Sequence, residues 1–112
     1  MQKRNREDTA ESVVERVYRA VRHLATGQGD VRARLCIAGF ILIALKADEF
    51  PPELRADFRW VFAQLTRHDP IASEGRIVAT MKRIQNSTGE KIAIRIFDIY
   101  SRLQAGRGHP LL

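Results

Sequence analysis

From Leu35 to Leu45 the chain reads LCIAGFILIAL, eleven residues without a charge or a strong hydrogen-bonding side chain. Arg32 and Arg34 precede this run, and Lys46, Asp48 and Glu49 follow it. A helix that is apolar on every side has to be covered by other elements. At about 1.5 Å per residue it is too short to cross a hydrocarbon layer of roughly 30 Å. The pattern therefore predicts a central helix over 35–45 wrapped by the rest of the chain. A solid core with little room for a cleft follows from that.

The flanking segments carry one apolar stripe each. Asp8-x-x-Glu11 reads as a capping box opening a first helix that ends before Gly27. Val13, Val14, Val17, Val21 and Leu24 line one side of it, and Glu15, Arg16, Arg19 and Arg22 the other. Gly27-Gln28-Gly29 stops this helix and Asp30 caps the next. A phosphate-cradling loop is the competing reading, but no strand precedes it and no Lys-Ser/Thr pair follows. Asp30 would also repel a phosphate there.

Phe50-Pro51-Pro52 forces a new start, with proline accommodated in the first turn of helix three. Its inward stripe reads Leu54, Phe58, Val61, Phe62 and Leu65. After the break at His68-Asp69-Pro70, helix four is expected over 73–85 with Ile77, Met81 and Ile84 inward. Asn86 to Gly89 reads as a turn, with Ser87-x-x-Glu90 as a second capping box. Helix five then runs to about Leu103, with Ile92, Ile96, Ile99 and Leu103 in line. The expectation is a single helical domain over 1–112, all-α, a compact bundle of about five helices around a buried central helix at 35–45. Flexible ends are expected at about 1–8 and 104–112.

Composition agrees with one globular domain: 112 residues, 45% hydrophobic and 29% charged, unlike a disordered chain. The N-terminal MQKRNRED has no apolar stretch behind it, so no secretory signal is read there. The single cysteine, Cys36, has no intramolecular partner and sits in the apolar run, where burial raises its pKa and keeps it inert. A reducing, cytoplasmic setting fits this usage. The net charge of +6 is uneven: residues 1–26 carry +2, residues 27–70 zero and residues 71–112 +4. Fifteen of the nineteen basic residues are arginine, the cation suited to bidentate contacts with phosphate or carboxylate.

No reactive constellation stands out. His23, His68 and His109 are far apart in the chain and have no cysteine partner, so neither a metal site nor a cofactor is expected. The carboxylates fall at helix starts or near arginine, as Asp57 does beside Arg55 and Arg59. No catalytic residue is assigned, and an enzyme is not expected.

Apolar residues on the wrong side of helices say more. At 100° per residue Trp60 points roughly 150° from the core line of helix three, between Ala56 and Ala63, on the expected wet face. The apolar arc of helix five extends past its core line through Ala93, Ile94 and Phe97, opposite a stripe of Lys91, Arg95, Asp98 and Arg102. Coverage by helix one or the chain ends is the plain reading. The sharper one is a partner-binding face made of Trp60, Ala56, Ala63, Arg59, Ile94 and Phe97, the partner being another protein or a second copy. The competing binding class is nucleic acid, held by Arg76, Lys82, Arg83, Lys91, Arg95 and Arg102 around a helix–turn–helix-like pair. Against it, the second helix of that pair lacks a polar recognition face, and Asp98 sits within its charged stripe.

The stretch Arg22-His23-Leu24-Ala25-x-Gly27-x-Gly29-Asp30-Val31-Arg32-x-Arg34 resembles a pattern in short helical proteobacterial proteins of unknown function. Glu74-Gly75-Arg76 and Thr88-Gly89-x-Lys91-Ile92-Ala93 through Tyr100 extend the likeness over residues 20–103. Proteins of this kind are often carried by prophages and other mobile elements. The shared positions are mainly helix caps and core residues, so the resemblance implies a fold and no catalytic residue. At the level of class it implies a protein that binds and blocks a host complex, defence machinery included.

Overall fold

The computed structural model describes residues 12–106, and all regular structure among them is helical. Helix α1 spans Val13–Thr26, α2 Val31–Leu42, α3 Pro52–Leu65, α4 Arg76–Arg83 and α5 Asn86–Gly106, with a single 3-10 turn at Ala47–Glu49. The all-α bundle of five helices is therefore what the described residues form. The expected capping box at Asp8 and Glu11, the end segments 1–8 and 107–112, and His109 lie outside the described residues.

Helix α1 starts from a capping box one turn further on. Ser12 Oγ accepts from the Glu15 amide at 3.1 Å, and the Ser12 amide donates to Glu15 Oε1 at 3.3 Å. Gly27 closes the helix by donating to the His23 carbonyl at 2.9 Å. Gly29 then takes a positive φ of 87°, which a side chain would strain. Asp30 caps α2 by accepting from the Ala33 amide at 3.0 Å. Arg34 ties the junction together, donating to the carbonyls of Leu24 at 2.7 Å and Gly29 at 3.1 Å.

Helix α2 departs from the expectation. Val31, Leu35, Ala38, Gly39 and Leu42 are buried, but Ile37 and Phe40 are 50% and 55% exposed, and Ile43 and Ala44 are exposed too. The helix also ends at Leu42, short of 45. Its neighbours α1, α4 and α5 cover one side of it and leave the other to solvent. Uniform apolarity permitted full wrapping but did not require it, because exposed apolar residues are tolerated on protein surfaces.

Helix α3 begins with Pro52 in its first turn and buries Leu54, Phe58, Val61 and Leu65. Phe50, preceding it, stacks on Phe58 with ring centres 4.4 Å apart. Phe62, expected inward, is exposed. It lies roughly 70° round from the mean direction of the other four, beyond what the neighbours cover.

Helix α4 starts at Arg76, not 73. The Glu74 carboxylate accepts from the amides of Ile71 and Ala72, both at 3.2 Å, and so shapes a loop in place of a helical turn. Ile77, Met81 and Ile84 are buried as expected. The fully buried Thr80 accepts at Oγ1 from the His68 amide at 2.9 Å, fastening the loop to α4.

Helix α5 begins three residues before the expected turn ends. The Gly89 amide donates to the Gln85 carbonyl at 3.0 Å, within the first helical turn. Gly89 is buried because α5 crosses close to α2: a Cβ there would lie 3.0 Å from Val31 Cγ1 and 3.3 Å from Leu35 Cδ1. Its glycine marks a close approach and not a reverse turn. At the other end the helix continues past Leu103 to Gly106.

The core runs between the helices through Val17, Leu35, Leu42, Phe58, Val61, Ile96 and Ile99. The gap left among its side chains amounts to about 10 Å³, too small to admit more than a single water.

Candidate functional site

The carboxylates have structural occupations. Asp30 accepts from the Ala33 amide and from Arg32 at 3.0 Å, and these contacts hold its pKa below the usual range. Glu74 is likewise held low, first by the Ile71 amide. Asp57 does not pair with Arg55 or Arg59. It lies between α3 and α5, where Arg95 Nη1 donates to one of its oxygens at 3.2 Å and Arg102 Nη1 to the other at 2.9 Å. Residues two apart on a helix point to different sides, so Arg55 turns instead to the Phe50 carbonyl at 2.9 Å.

The half-buried Cys36 thiol is pushed up in pKa by desolvation, the direction expected for a group in the apolar run. His23 lies exposed on α1, while His68 is half-buried in the α3–α4 loop. Among the described residues no three His, Cys, Asp or Glu side chains come together as a metal site. Nor is any helix among them long and apolar enough to cross a membrane.

Trp60 is not on a wet face. It is half-buried, and α5 lays the Arg95 guanidinium over its ring at 4.4 Å. The hydrophobic pattern of α3 could not announce this, because the covering group is an arginine from a helix thirty-five residues on. Ala56, Arg59 and Ala63 are exposed. Arg59 and Ala63 edge a groove of about 380 Å³ with Leu45, Lys46 and Phe62. The six partner-face residues thus divide between two surfaces.

The α5 pair stands differently. Ile94 and Phe97 are 61% and 54% exposed. Phe97 lies 6.5 Å from the Tyr100 ring, and Tyr100 lies 6.0 Å from Tyr18 of α1, so three aromatic rings run in sequence across two helices. Tyr100 Oη accepts from Gln104 Nε2 at 2.9 Å, which fixes the ring without covering it. Beyond Ile94 the surface dips into a groove of about 500 Å³ edged by Asp30, Arg34 and Glu90. Tyr100 was readable at three residues from Phe97, on the same flank. Tyr18 joins only through the packing of α1 on α5.

The cations of the last two helices do not form one free strip. Arg76 pairs with Asp69 at 2.6 Å and donates to the Thr66 carbonyl at 3.2 Å. Arg95 and Arg102 pair with Asp57, although the stripe of Lys91, Arg95, Asp98 and Arg102 lies on the outer side of α5 with only Arg95 half-buried. Lys82, Arg83 and Lys91 are exposed.

Comparison of the chain with protein-family models, with curated proteins and with solved structures gives no match.

Proposed function

We propose that this chain is a non-enzymatic module that binds a protein partner through the aromatic ledge of Ile94, Phe97, Tyr100 and Tyr18. The observation that carries the reading is that exposed Ile94 and Phe97 on α5 and exposed Tyr18 on α1 are joined through the half-buried Tyr100 ring into one run across two packed helices. Scattered apolar residues on a surface are ordinary, whereas contiguous groups are what partner sites are built from. Aromatic rings held rigid by the scaffold make strong anchors, since little side-chain entropy is lost on docking.

The resemblance to short proteins of mobile elements makes an inhibitor or accessory factor acting on a host complex, defence machinery included, the most concrete form of this module. Nucleic-acid binding has less support, because three of its six assigned cations are engaged within the chain.

The test is affinity purification from the native cell with the wild-type chain and with Ile94→Glu/Phe97→Glu. A genuine partner should fall about tenfold or more in the variant, the loss of one anchor's worth of binding, while the helical circular dichroism holds. If every co-purifying protein is retained, the ledge is not the site. Titration of duplex and single strands at two salt concentrations covers the other class. Binding that weakens steeply with salt and vanishes in Arg83→Glu/Lys91→Glu would displace the protein-partner reading.

A further inference from the structure

Helix α2 has a second exposed apolar surface on its outer side. Ala33, Ile37 and Phe40, with Ala44 in the turn after the helix, fall within an arc of roughly 60° at 100° per residue, and all four are exposed. Cys36 and Ile43 flank the arc on one side, and no charged side chain interrupts it between Leu35 and Leu45. The two cations within the helix are turned away from it. Arg32 Nη1 donates to the Ile84 carbonyl at 3.1 Å, and Arg34 Nη1 to the Leu24 carbonyl at 2.7 Å, on opposite sides of the helix. The stripe is therefore dry in composition and held so by hydrogen bonds.

We infer that this stripe is the seam of an antiparallel homodimer, in which Ile37 of one copy packs against Phe40 of the other. The stripe reads small, large, large, small in either direction. A twofold axis between Ile37 and Phe40 sets Ala33 against Ala44 and each large side chain against the other large one. Such an isologous contact requires a patch complementary to itself, and this palindrome of sizes supplies one. The same pairing brings the Asp30 carboxylate of one copy, which already holds Arg32 at 3.0 Å and is still exposed, toward the exposed Lys46 of the second at each end of the seam. It also sets the helix dipoles antiparallel.

The seam is short beside the roughly 1,200–2,000 Å² of a stable interface, so the dimer dissociates on dilution. Each copy carries +6, and their repulsion is screened over about 8–10 Å at physiological salt. Salt screens this repulsion and the Asp30–Lys46 attraction together, so the apolar seam persists at high salt, unlike nucleic-acid binding.

Light scattering and sedimentation of the full chain should report twice 12.8 kDa at high concentration, falling toward 12.8 kDa on dilution. Phe40→Glu should be monomeric at every concentration with unchanged helical circular dichroism, because the site is exposed. Register is read by disulfide trapping in a Cys36→Ser background, mixing Ala33→Cys with Ala44→Cys. The mixed 33–44 product should exceed either symmetric product several-fold. A chain monomeric throughout, a dimer unaffected by Phe40→Glu, or a dominant 33–33 product each overturns the assignment. So does a monomer that floats with lipid vesicles through Phe40, which would give the stripe to a membrane surface.

Discussion

The guanidinium carbon of Arg95 lies 4.4 Å above the centre of the Trp60 ring, while its Nη1 donates to Asp57 Oδ1 at 3.2 Å. Asp57 and Trp60 stand three residues apart on one side of α3, so a single α5 arginine grips both. Arg102, two turns along, takes the second carboxylate oxygen at 2.9 Å. This clasp fastens α3 to α5 at the edge of the core.

Asp57→Asn should therefore lower stability by about 1 kcal/mol, the sum of two partly exposed ion pairs at roughly 0.2–1 kcal/mol each. Denaturant midpoints at low and high salt check it, because the difference should shrink as the pairs are screened. Equal midpoints at low salt would mean that the clasp contributes nothing. The single tryptophan gives a second readout: Arg95→Ala uncovers the ring, and its fluorescence should shift to the red.

Acid should remove a defined part of the stability. The folded-state pKa values of Asp30 and Glu74 are lowered from ordinary values of 3.8 and 4.5. The contribution of each is thus full above its ordinary value and is lost as pH falls through the lowered one. Asp30→Asn/Glu74→Gln keeps part of the hydrogen bonding but cannot ionise. The wild-type chain should melt higher than this variant at neutral pH, and the gap should close as pH falls below the ordinary carboxylate values and through the lowered ones. A gap of constant size across that range would rule out ionisation as its source.

At Gly89 the helix crossing sets the limit. A Cβ alone would press on Val31 at 3.0 Å, and the branches of valine would press further. Gly89→Val should destabilise by roughly 1–3 kcal/mol through overpacking, despite removing a helical glycine. Chemical denaturation measures this directly. A stabilised variant would show that α5 can move off α2 without cost.

Thr80→Val keeps the shape of a fully buried side chain and deletes the acceptor for the His68 amide. The cost should be about 1 kcal/mol, that of a hydrogen bond lost at a half-buried amide. The loop it fastens exposes Ile71 at 80%, and proteases should cut there faster in this variant. Thr80→Ser, which retains the hydroxyl, should restore most of the protection. Equal cleavage of all three proteins would dissociate Thr80 from the order of the loop.

Much of the architecture was legible in residues alone because local signals and burial agreed. Asp30 at a helix start, Pro52 in a first turn, and the lines Leu54–Phe58–Val61–Leu65 and Ile92–Ile96–Ile99–Leu103 each had one consistent solution. Errors arose where two physical readings share one residue type. Gly89 could mean a reverse turn or a helix passing close, and only the crossing of α5 over α2 decided it. Asp57 had arginines on both sides in sequence, yet its partners came from thirty-eight and forty-five residues away.

The candidate surfaces divide in the same way. Periodicity placed Ile94 and Phe97 beyond the core line of α5, on an arc wider than one neighbour can hide, but left open whether helix one or the chain ends cover them; the structure leaves both exposed. That Trp60 lies beneath Arg95, that Tyr18 continues the ledge, and that the outer side of α2 stays bare were decided by tertiary structure. A side chain's direction along its own helix is a local property, set by 100° per residue. What stands in front of it is not, because the covering group comes from a distant segment whose approach depends on the packing of the whole bundle.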